Sequence, residues 1–157
     1  MPSDLLQALY RGDTARVEEV RATRRELDVF EAAALGEVEE LRRALDADPA
    51  AVGAWSDDGF TPLHYAAFFG HPDAARVLVD SGADLEAPSR NEEFALHARP
   101  LHSAAAAGER EVCRVLLEAG ADPNSTQHGG FTPLRQAAQN DDTELAELLV
   151  GYGAKPG

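Results

Sequence analysis

Apolar residues recur at spacings of three and four in short bursts along this chain, and most bursts are closed by a glycine. Val112, Val115, Leu116 and Leu117 fall on one face of a helix over Glu111 to Ala119, and Ala75, Leu78 and Val79 do the same over Pro72 to Ser81. Gly82, Gly120 and Gly153 end segments of this kind. Helices this short do not hold together alone in water, so their apolar stripes must be buried against neighbours.

A second kind of segment precedes each of these. Leu63-His64-Tyr65-Ala66-Ala67-Phe68-Phe69-Gly70 aligns with Leu101-His102-Ser103-Ala104-Ala105-Ala106-Ala107-Gly108 and with Leu134-Arg135-Gln136-Ala137-Ala138-Gln139-Asn140-Asp141. Val29 to Gly36 fits the same template, and Leu5 to Gly12 fits it loosely, which predicts five helix pairs. Threonine before proline caps a helix whose first residue needs no amide donor, and glycine supplies the left-handed turn at its end. Paired alanines let adjacent helices approach closely. Gly-Ala-Asp at 82–84 and 120–122 leads into loops expected to project as β-turn fingers.

Gly-Phe-Thr-Pro-Leu occurs at Gly59 to Leu63 and again at Gly130 to Leu134, with a worn copy, Arg99-Pro100-Leu101-His102, between them. Pro100 to Pro133 is 33 residues and Pro62 to Pro100 is 38, so the first interval carries five extra. In this order the motifs of Gly59 to Pro156 resemble ankyrin repeats, and residues 1–53 follow by pattern. The resemblance implies an all-α solenoid of stacked helix-turn-helix pairs with β-turn fingers. One domain over 1–157 is expected, with units near 3–27, 28–58, 59–98, 99–129 and 130–157. Gly12 to Gly36 is only 24 residues, too short for a finger, so the first unit reads as a bare capping hairpin. Asp141, Asp142, Thr143, Glu144 and Glu147 give the last unit the polar outer face of a C-terminal cap. Arg99 replaces the capping threonine of the fourth unit, and Arg135 the histidine of the fifth.

Charge narrows the partners. The chain has 28 acidic against 14 basic residues, a net charge of −14, which disfavours nucleic acid and anionic membrane and favours a basic or neutral protein surface. A single cysteine, Cys113, excludes an internal disulfide, and the N-terminus carries no signal-like apolar run, so a cytoplasmic monomer is expected. Arginine far outnumbers lysine, and alanine is abundant, as in a GC-rich, bacterial genome.

No catalytic signature is present: no nucleophile elbow, phosphate loop, paired cysteines or His-Glu-x-x-His, and neither cofactor nor metal is expected. His64 and His102 belong to the repeat motif and are expected to bond backbone near the fingers. Cys113 lies among apolar neighbours as a small buried hydrophobe. A metal-dependent site would need Asp57, Asp58, His64 and His97 to converge.

In ankyrin stacks partners usually lie against the fingers and the concave face of the first helices. Carried onto this chain, that implies Tyr65, Phe68 and Phe69 as aromatic anchors, with Gln136 and Gln139 further along the face. Each of the three rings is either an exposed anchor or part of the core. Trp55, followed by Asp57 and Asp58, lies near a finger tip, and its ring either meets a partner or folds back over the neighbouring finger. The five extra residues fall within 86–98, which makes Arg90, Glu92, Glu93 and Phe94 candidates, and His128 occupies the following finger. A non-enzymatic protein-binding module is the leading expectation. The alternatives are an acidic inhibitor of a basic toxin or nuclease and a self-associating scaffold.

Overall fold

The computed structural model describes residues 3–23, 26–93 and 95–156. Among them ten α-helices run in pairs: α1 (Asp4–Arg11) and α2 (Thr14–Thr23), α3 (Val29–Leu35) and α4 (Val38–Ala47), α5 (Pro62–Phe68) and α6 (Pro72–Asp80), α7 (Pro100–Ala107) and α8 (Arg110–Glu118), α9 (Pro133–Gln139) and α10 (Thr143–Gly151). The described residues contain no strand, and the fold is an all-α stack. The first helices pack side by side in the order α1, α3, α5, α7, α9, and α4, α6 and α8 form a second layer behind them.

The paired alanines explain the close approach within the first layer. Ala32, Ala33, Ala66, Ala67, Ala104, Ala105 and Ala137 are all fully buried, so no larger side chain fits there without separating the helices. Leu5, Leu41, Leu63, Leu78, Leu101, Leu116 and Leu145 belong to the same continuous core. The buried stripe of α6 differs from the expected one: Ala74 and Val77 join Ala75 and Leu78 inside, while Val79 is only half-buried. This helix packs against α4, α5 and α8, so three neighbours widen the face it must bury.

The helix ends follow the sequence chemistry. The Thr61 hydroxyl accepts the His64 amide and Thr132 accepts the Arg135 amide. Arg99 has no acceptor in its side chain and cannot cap, but its own amide donates to His102 Nδ1 at 3.1 Å. Asp141 stands where the closing glycine would be and takes the left-handed conformation at φ 54°, which aspartate tolerates better than most residues. Asp142 departs from the expected outward face. It caps α10 by accepting the Leu145 amide, and it pairs with Arg110 of α8 at 2.9 Å, tying the last pair to the one before.

The fingers are hairpin turns. The Ser56 amide donates to the Phe60 carbonyl at 2.8 Å and that of Gln127 to Phe131 at 2.9 Å, each spanning four positions; the matching bond from Ser89 to Ala98, at 2.8 Å, spans nine. The five extra residues therefore sit at the tip of the middle finger, between Ser89 and Ala98. Ser89 is buried and braces the base: its hydroxyl donates to the Ala95 carbonyl and accepts the Ala98 amide.

Neighbouring fingers are joined through backbone. The Arg90 amide donates to the Gly59 carbonyl at 2.8 Å and the His128 amide to Leu96 at 3.1 Å. Gly59 has φ 85°, and a Cβ there would lie 2.6 Å from the Arg90 carbonyl carbon. Gly59→Ala must therefore push the two fingers apart as well as strain its own backbone. A loss of about 2 kcal/mol in urea-determined stability is expected, and an unchanged midpoint would contradict the tight contact.

Candidate partner-binding groove

The first helices and the fingers together bound a groove of about 410 Å³. Phe60, His64 and Tyr65 are buried and form its floor, while Tyr10 from α1 and Phe68 from α5 stand exposed at 42% each. Ser103 and Ala106 of α7 and Gln136 of α9 continue the wall. Asp58, Asn91, Glu93 and Gln127 reach it from three successive fingers.

Its aromatic residues form one cluster. Tyr10 packs against Tyr65, Phe68 and Phe69 at centroid distances of 6.4, 6.3 and 5.5 Å, and Phe68 meets Phe69 edge-on at 5.2 Å. Tyr65 is 1% exposed, held between Phe30 and Phe60, so it is not the exposed anchor that its position allowed. Its hydroxyl lies 3.0 Å from Ser56 Oγ and 3.4 Å from the Asp58 carboxylate. Burial raises the pKa of both Tyr10 and Tyr65, so both phenols stay neutral.

Both motif histidines are structural. His64 Nδ1 accepts the Thr61 amide, which puts the proton on Nε2, and Nε2 donates to the Ala98 carbonyl at 2.8 Å. His102 repeats the arrangement, with Nε2 3.1 Å from the carbonyls of both Ser125 and Phe131. Burial lowers each imidazole to about 4, leaving both uncharged at neutral pH. Each ring thus ties the start of a helix to a following finger.

The remaining candidates divide. Asp58, Phe68, Glu93 and Gln136 come together on the groove, with Tyr65 beneath them. Trp55 is half-buried, and the Arg90 guanidinium lies 4.0 Å above its ring, so the insertion covers the tryptophan instead of leaving it bare. Phe69 is half-buried behind Phe68, while Asp57 and Gln139 are exposed but do not line the groove. Glu92, Glu93 and His128 flank a smaller hollow of about 250 Å³ between the middle and last fingers. Phe94 lies outside the described residues. Tyr10 is not among the residues singled out from sequence, although it stands two residues before Gly12 as Phe68 stands two before Gly70, so the repeat template itself carries the signal.

Burial pushes the Cys113 thiol up to about 12, which leaves it un-ionised, and the side chain is fully enclosed. No group of three or more histidine, cysteine or acidic side chains suited to a metal ion occurs among the described residues. No described helix is long and apolar enough to cross a membrane.

Comparison with known proteins agrees with this architecture. A putative ankyrin repeat protein of fowlpox virus, FPV014, is 31% identical over 131 residues, covering 82% of this chain and 28% of its own length. A platypus protein, ankyrin repeat, SAM and basic leucine zipper domain-containing protein 1, is 37% identical over 94 residues, or 60% of this chain and 20% of the relative. The human DNA-binding protein RFXANK is 34% identical over 80 residues, 51% of this chain and 31% of its own. The chain thus spans less than a third of these relatives. The family profile described as ankyrin repeats (many copies) matches residues 29–79 and 101–150, which take in nearly all of α3 to α10, and the chain belongs to the ankyrin-repeat family.

Proposed function

We propose that this protein is a non-enzymatic binding module that holds a segment of another protein in the groove between its first helices and its fingers. Ankyrin repeats generally mediate protein–protein interaction, and the repeats themselves are typically without catalytic activity. The observation that carries the proposal is local: Phe68 and Tyr10 leave 42% of their surfaces exposed beside a concave volume of about 410 Å³. Exposed aromatic rings beside such a hollow are what binding hot spots are built from. DNA binding, named for the human relative, is not carried over, because a net charge of −14 opposes a phosphate backbone.

Phe68→Glu tests this. The ring is exposed, so a carboxylate there is compatible with folding, yet it would stand in the proposed contact. A partner captured by the wild-type protein is expected to bind the variant at least tenfold more weakly, with the thermal melt by circular dichroism unchanged. Equal binding by both proteins would move the interface away from the groove.

A further inference from the structure

The charges lining the groove are of one sign. Asp58 and Glu93 line it, and among the described residues no lysine or arginine does. Its two histidines are held neutral and spent on backbone carbonyls. The nearest cation on the insertion, Arg90, is stacked on Trp55. The rings of Tyr10, Phe60, Tyr65 and Phe68 line the same groove, and the Asp58 carboxylate is within 3.4 Å of the Tyr65 hydroxyl. The groove therefore combines π-surfaces with negative charge, and Ser103, Gln127 and Gln136 add neutral polar groups to its lining.

From this geometry we infer that the groove takes an arginine side chain of the partner segment, its planar guanidinium stacked against the exposed rings of Tyr10 and Phe68 and its N–H groups directed at Asp58 and Glu93. The inference rests on the groove being the binding site and adds what occupies it. Arginine fits better than lysine because its flat, weakly hydrated head can stack on a ring and donate to a carboxylate at once. A rigid pocket around such a head is a setting in which charge complementarity contributes to affinity as well as to orientation. The overall net charge of −14 favours the approach of a basic segment.

Random-peptide display on the full chain provides the test, with selected peptides resynthesised for titration calorimetry. Selected peptides are expected to share an arginine, and to lose at least tenfold in affinity when it is replaced by citrulline, which keeps the shape and removes the charge. Replacement by lysine should cost less than replacement by citrulline. The double variant Asp58→Asn, Glu93→Gln should lose a similar factor for the arginine peptide and bind the citrulline peptide as the wild type does, with its fold verified by circular dichroism. Glu147→Gln, on an exposed site of α10, should change nothing. Peptides that depend on Phe68 but tolerate citrulline would overturn the arginine assignment and leave the groove as the site. Peptides indifferent to Phe68→Glu, or no selected peptides at all, would overturn both.

Discussion

His64→Ala is expected to lower the stability of the folded protein by about 3 kcal/mol at pH 7.5 in urea titration. The imidazole accepts the buried Thr61 amide and donates to the Ala98 carbonyl, and it packs against Phe60 at 5.6 Å. Removing it leaves a donor and an acceptor without partners where water cannot easily replace them, at about 1–3 kcal/mol for each. A loss below about 1 kcal/mol would mean that water or a shifted side chain satisfies these groups. The same residue governs pH behaviour. In the folded protein His64 and His102 ionise near 4, below the ordinary value of 6.5, so between these limits the unfolded chain binds protons that the folded one refuses. Stability is then complete above about pH 6.5 and falls as pH drops towards 4, by up to about 1.4 kcal/mol per pH unit for each histidine. Acidic groups add their own dependence, so the informative quantity is the difference in slope between wild type and His64→Ala. That difference is expected to approach one proton between pH 6 and 4.5, and identical slopes would show that His64 ionises normally in the fold.

Leu101→Ala is expected to cost about 2–5 kcal/mol, the range for a fully enclosed leucine whose cavity cannot collapse. Leu101 is 1% exposed on α7, the helix that touches both α5 and α9. In a stack where each unit contacts only its neighbours, weakening the middle loosens the coupling between the ends. Trp55 lies in the finger before α5 and, as the only tryptophan, reports on the N-terminal side alone. The variant should therefore lose helix ellipticity at lower urea than it loses tryptophan emission, whereas the wild type should show coincident curves. Coincident curves in the variant would mean that the five pairs unfold as one unit despite the damage.

Some of this architecture could be read directly from the chain, and the reason is that it is local. Thr61 and Pro62 start a helix through groups within one turn, and the closing position needs only a residue that tolerates positive φ, which is why Asp141 could replace glycine without breaking the pattern. The five-residue excess before Arg99 is likewise a property of spacing, and it emerges as the longer span from Ser89 to Ala98. Repetition multiplies these local signals, so the fold class and the family follow from sequence.

What the sequence left open concerns contacts between residues that are mostly more than thirty positions apart, made by different repeats. Spacing does not say that Arg90 turns onto Trp55, that Arg110 draws Asp142 away from the outer face, or that Phe30 and Phe60 enclose Tyr65 while Phe68 stays exposed. Nor does it say that Tyr10 reaches from α1 to Phe68 on α5. Each outcome depends on which surfaces the adjacent helices and fingers leave uncovered, a matter of packing in three dimensions. The sequence by itself determined a stack of ankyrin-type helix pairs, because caps, turns and period act within a few residues. Only the tertiary structure decided which aromatic and acidic side chains line the groove, because that depends on how neighbouring units bury one another.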